Sequence, residues 1–75
     1  MWTEGIIDGL YYSIKFYSAP SELGIKGGKV SKLMLWRTGA HGSREIVARY
    51  ERGWCLKPDD AETTAALQKL IEKYN

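Results

Sequence analysis

The stretch WTEGIIDGLYYSIKFY, residues 2–17, decides the fold. Asp8-Gly9 stands between two strand-like runs, Trp2 to Ile7 and Leu10 to Tyr17. A tight type I′ turn needs positive φ at both central residues, which Asp-Gly tolerates, so the stretch reads as a β-hairpin. In its second arm Tyr12, Ile14 and Phe16 alternate with Tyr11, Ser13, Lys15 and Tyr17. Period two makes one face apolar and the other mixed, and places Tyr12, Ile14 and Phe16 in the core.

Downstream of the hairpin, Ser18 to Gly28 is a long connection containing Pro20, Gly24, Gly27 and Gly28. Leu23 and Ile25 are expected to tuck inward and fix part of it. Lys29 to Trp36 reads as the next strand, with Leu33 and Leu35 on one face and Val30, Met34 and Trp36 on the other. Apolar weight on both faces leaves open which of them is buried. Thr38 to Ser43 is a turn, and Arg44 to Arg52 a further strand. Its Ile46, Ala48 and Tyr50 oppose Glu45, Val47, Arg49 and Glu51.

Gly53 to Leu56 leads into Lys57-Pro58-Asp59-Asp60. Asp59 with Glu62 three residues on fits a capping box, and acidic residues in a first turn complement the helix dipole. Thr63, Leu67, Leu70, Ile71 and Tyr74 then recur at helical spacing, with Gln68, Lys69, Glu72 and Lys73 turned to water. The expectation is an α+β fold: an antiparallel sheet of about four strands, then one C-terminal amphipathic helix packed on one sheet face. A lone amphipathic helix must bury its stripe on the sheet, which leaves the opposite face uncovered.

At 75 residues the chain is read as a single small domain, residues 1–75. A chain this short buries roughly 60% of the surface its unfolded form exposes. Three Trp and five Tyr raise the buried area per residue. Cys55 is the only cysteine, so no internal disulfide can form, and the reducing cytoplasm is the expected compartment. No leader pattern and no apolar run near the ~20 residues of a membrane span is visible.

Charge is unevenly spread. Between residues 26 and 52, seven basic residues (Lys26, Lys29, Lys32, Arg37, Arg44, Arg49, Arg52) meet only Glu45 and Glu51, which leaves +5 out of a chain total of +2. Such segregation favours an anionic partner.

No catalytic, cofactor or metal site is expected. Gly24 to Lys29 superficially suggests a phosphate loop, but Lys29 is followed by Val30 and a strand, not by Ser or Thr opening a helix. His41 lies between glycines with no second ligand at metal spacing. Cys55, in an apolar context, reads as a buried small hydrophobe. The informative set is Tyr11, Lys15, Tyr17, Lys32, Trp36, Arg37 and Arg49, which are expected together on the free sheet face. Trp, Tyr and Arg are enriched at protein interfaces, whereas aromatics ringed by cations also stack on bases and hold phosphates. The bland alternative is a solvated face stabilised by aromatic cross-strand pairs.

Two resemblances bear on this choice. Trp2-Thr3-Glu4-Gly5, the run Gly27-Gly28-Lys29-Val30-Ser31-Lys32-Leu33, and Tyr50-Glu51-Arg52-Gly53-Trp54 carry the first. Over nearly the whole chain they resemble a family of small uncharacterised proteins of Gram-positive bacteria and their phages. That resemblance implies a mobile-element accessory protein that acts by binding a host protein, for example a defence or replication protein. The second involves Gly53 to Asp59 followed by a helix. This junction is similar to that of the single-stranded-DNA-binding transcriptional coactivators, which carry four strands then a helix and dimerise. Trp54 departs from their small aliphatic residue. The expected function is thus a non-enzymatic binding module for a host protein, with single-stranded nucleic acid as the alternative partner and a homodimer compatible with the free sheet. A DNA-mimicking inhibitor would be strongly acidic, unlike this chain.

Overall fold

The computed structural model describes residues 1–75. Five strands form one antiparallel sheet in sequence order: β1 (Trp2–Ile7), β2 (Leu10–Phe16), β3 (Val30–Thr38), β4 (Arg44–Glu51) and β5 (Trp54–Leu56). The helix α1 (Ala61–Tyr74) follows and packs over β2 and β3. The architecture is the expected α+β one with a fifth strand added. β5 has only three residues, too short for a period to register, and it forms because Trp54 pairs with Tyr50 and Leu56 with Arg49. No helix is long and apolar enough to cross a membrane.

The hairpin forms as its turn chemistry requires. Asp8 and Gly9 take φ of 50° and 78°, and β1 pairs with β2 without interruption from Ile7–Leu10 to Trp2–Lys15. Gly5 lies under the Tyr12 ring, where a Cβ would come within 2.6 Å of the phenol oxygen. Tyr12 can therefore lie flat across β1, and its hydroxyl meets that of Tyr74 at 3.3 Å.

The core joins Leu10, Tyr12, Ile14, Val30, Leu33, Leu35, Ala48 and Tyr50 of the sheet to Ala66, Leu67, Leu70 and Ile71 of the helix, with Ile25 from the long connection. Phe16 and Tyr74 pack against it, half-buried. The sheet has three register shifts, one between Arg49 and Tyr50 where β4 pairs with β5, and the two in the pairings of β3 correct the simple alternation. Between β2 and β3, Lys15 pairs with Lys32 but Phe16 with Val30, so Ser31 is the extra residue and Val30 turns into the core with Leu33. Between β3 and β4, Leu35 pairs with Ala48 but Trp36 with Ile46, so Val47 is the extra residue. Val47 packs against the core, while Ile46 faces outward and is 39% exposed. A bulge inserts one residue into one strand and reverses every facing beyond it.

Three other positions differ from expectation. Leu23 is 53% exposed; its carbonyl, not its side chain, anchors the connection by accepting from the Tyr50 hydroxyl at 2.8 Å. Cys55 is exposed because it lies on the three-residue edge strand, with nothing packed outside it. The helix cap is Asp60, one residue later than Asp59: its carboxylate accepts from Thr63 N–H at 2.6 Å and from the Thr63 hydroxyl at 3.0 Å. Those bonds, with Arg37 nearby, hold the Asp60 carboxyl below its ordinary pKa. The long connection is also closed by Asn75, whose side chain accepts from Val30 N–H at 3.0 Å and donates to Ile25 O at 2.9 Å.

Candidate interaction face

The helix covers one side of the sheet and leaves the other open. Register assigns the open side: Trp2, Glu4 and Ile6 of β1 lie across from Lys15, Ser13 and Tyr11 of β2. Tyr11, Ser13 and Lys15 lie in turn across from Trp36, Met34 and Lys32 of β3. Beyond them stand Ile46, Arg49 and Glu51 of β4, with Arg44 opposite Thr38.

Six of the seven residues singled out by sequence, all except Arg37, fall on this side. Tyr11 and Trp36 stack across β2 and β3, with ring centroids 6.0 Å apart and planes within 16°. From the other flank the Arg44 guanidinium lies 4.4 Å from the Trp36 ring centre. β2 and β4 flank β3 on opposite sides, so Trp36 is held between a phenol and a guanidinium. Lys15 rests 5.8 Å from the Trp2 ring centre and 5.5 Å from that of Tyr17. Lys32 and Arg49 share Glu51, at 3.4 and 3.2 Å. An open depression of about 180 Å³ lies between Trp2, Ser13, Lys32, Met34, Arg49 and Glu51.

Arg37 lies elsewhere. Adjacent strand residues point to opposite sides, so with Trp36 outward Arg37 turns toward the helix. There its guanidinium approaches the Asp60 carboxylate at 3.5 Å and Glu45 at 3.9 Å, and its Nε is shielded from solvent without a hydrogen bond. It ties β3 to the start of α1. The basic window of the sequence is consequently divided. Lys32, Arg44 and Arg49 stand on the open face, Arg37 on the covered side, and Lys26 in the connection.

Sequence periodicity missed Ile46 and Arg44 as face residues, because both depend on the bulge at Val47. Trp2 was legible in principle, since in a hairpin about Asp8-Gly9 it must stand opposite Lys15. No three His, Cys, Asp or Glu side chains are grouped to hold a metal ion. What the open face offers chemically is therefore ordered aromatic and aliphatic surface with cations at its margins.

No curated protein and no solved structure matches this chain. A family of proteins defined by a shared domain of unknown function matches it from end to end, residues 1–75, and the chain belongs to that family, DUF7678.

Proposed function

We propose that this protein is a non-enzymatic binding module that engages another protein through its open sheet face. The observation that carries this reading is Trp36, packed against Tyr11 and Arg44 at one end of a face that nothing in the chain covers. A pre-ordered Trp with Tyr and Arg beside it is the composition of an interface hot spot, and little side-chain entropy remains to be lost on binding. Ile46, Met34, Ile6 and Trp2 extend the apolar area around it. Four cations (Lys15, Lys32, Arg44, Arg49) against two carboxylates (Glu4, Glu51) give the face an excess of +2, which complements an acidic-rimmed partner.

The resemblance to small proteins of Gram-positive bacteria and their phages extends the reading to an accessory protein of a mobile element that modulates a host protein. Single-stranded nucleic acid fits the same face less well. Base stacking uses the flat side of an aromatic ring, and Trp36 already has the Tyr11 ring and the Arg44 guanidinium against it.

The test is affinity capture from a host lysate, followed by titration of the identified protein. Wild type should bind saturably, and folded Trp36→Ala should lose about 2 kcal/mol or more of binding. Unchanged binding of Trp36→Ala would remove this face from consideration. Tight binding of labelled single-stranded DNA at low salt, weakening steeply toward ~150 mM, would transfer the face to nucleic acid.

A further inference from the structure

The open face has a second end, away from Trp36, where β2 finishes, β3 begins and β4 finishes. Lys15 and Lys32 stand directly opposite each other there. Like charges in that position repel, and the repulsion persists only if something compensates it. Lys32 is compensated by Glu51 at 3.4 Å. Lys15 has no carboxylate partner and lies between the rings of Trp2 and Tyr17.

Arg52 joins this end from the turn after β4. Its φ of 59° lies in the left-handed region, a strained choice for a residue other than glycine. Its N–H donates to Ser31 O at 3.0 Å, and Ser31 Oγ donates to Lys15 O at 3.4 Å, so the three chain segments are fastened together. The Arg52 guanidinium makes no ion pair. The Tyr17 phenol, although exposed, is held below its ordinary pKa, first by its hydrogen bond and charge interaction with Lys15, and also by Ser31 and Arg52. The nearest acid, Glu51, is already engaged through one oxygen by Lys32 and through the other by Arg49.

We propose that Lys15, Tyr17 and Arg52 form an oxyanion subsite that receives a carboxylate from an acidic segment of the protein partner. The inference deepens the binding role given above and rests on it for what carries the carboxylate. Two cations without a carboxylate partner and one phenol O–H supply donors to an anion, and a guanidinium can hold both carboxylate oxygens. The adjoining depression beside Trp2 and Met34 suits an apolar side chain next to the acidic one.

The experiment is an amide NMR titration of the intact protein at low salt with the peptide Leu-Glu-Leu-Glu and its Leu-Gln-Leu-Gln counterpart, both C-terminally amidated, and with inorganic phosphate and a short oligothymidine. The acidic peptide should give saturable shifts centred on Lys15, Tyr17, Ser31 and Arg52, and the glutamine peptide none. Lys15→Gln and Arg52→Gly should each weaken the acidic peptide by about threefold or more. Arg52→Gly also relieves the positive φ, so lost binding cannot be blamed on lost folding. Equal response to both peptides, unchanged affinity in the variants, or stronger binding of phosphate or oligothymidine would overturn the assignment. A partner that ignores Trp36→Ala would defeat the wider reading while leaving an Arg52-dependent peptide titration intact, so the two failures are distinguishable.

Discussion

The two faces of this sheet are built from the same strands and solve opposite problems. On the covered face Ile14, Val30, Leu35 and Ala48 are fully buried, and polar groups such as the Tyr12 and Tyr74 hydroxyls meet each other. On the open face Trp2 and Ile6 are 57% and 66% exposed, and order comes from side chains lying on each other: Tyr11 on Trp36, Arg44 on Trp36, Lys15 on Trp2 and Tyr17. One helix of 14 residues covers only one side of a five-stranded sheet. The difference teaches that burial is concentrated on one face and that the proposed binding would use the other. Burial on the helix side holds the fold, which frees the other side to keep large apolar groups in solvent at a cost that binding can recover.

That contrast can be broken at its strongest point first. Leu70→Asp places an unpaired charge in the thin core and is expected to cost about 4 kcal/mol or more, leaving no cooperative thermal transition. Ile46→Asp, on the open face, should melt close to wild type; comparable loss in both would mean that the faces are not energetically distinct. Next comes the functional side: Trp36→Ala should keep a cooperative melt yet lose about 2 kcal/mol of partner binding by titration calorimetry.

The bulge at Val47 gives a finer test. Val47→Ala should lower stability in urea by about 1 kcal/mol, and Ile46→Ala by no more than about 0.5 kcal/mol. The reverse order would restore simple alternation and move Ile46 into the core. Arg52→Gly should raise stability by about 1 kcal/mol through relief of the left-handed backbone, while it weakens anion binding at the Lys15 end of the open face.

The smallest effect concerns pH. The Asp60 pKa is lowered in the folded state by the Thr63 backbone N–H and hydroxyl, with Arg37 adding to them. A depressed carboxyl stabilises the fold above its unfolded pKa and loses that contribution as pH falls through the folded value. Asp60→Ala should therefore melt lower than wild type at neutral pH, with the gap closing below the ordinary carboxylate range. A gap that is constant with pH would show that the ionised cap contributes nothing.

Much of this was legible before any coordinates. Asp8-Gly9 placed the hairpin, and its register placed Tyr12 and Ile14 inward with Tyr11 and Lys15 outward. The apolar stripe of Thr63, Leu67, Leu70, Ile71 and Tyr74 identified the helix and its buried side. What could not be read were the facings of Val30, Ile46 and Val47, because alternation counts residues one by one and a bulge adds one without a mark in the sequence. Arg37 was grouped with Trp36 by chemistry, although neighbouring strand positions must diverge.

The sequence by itself determined four of the five strands and the helix, since turn chemistry and hydrophobic period are properties of neighbouring residues. It also determined that one sheet face would be left over, since there is only one helix to cover two. Only the tertiary structure decided the rest: a fifth strand, the packing of Trp36 against Tyr11 and Arg44, the passage of Arg37 to Asp60, and the fastening of the Lys15 and Arg52 segments through Ser31. Each of these joins residues from different elements, and their proximity follows from how strands pair and bulge against one another, which no local pattern encodes.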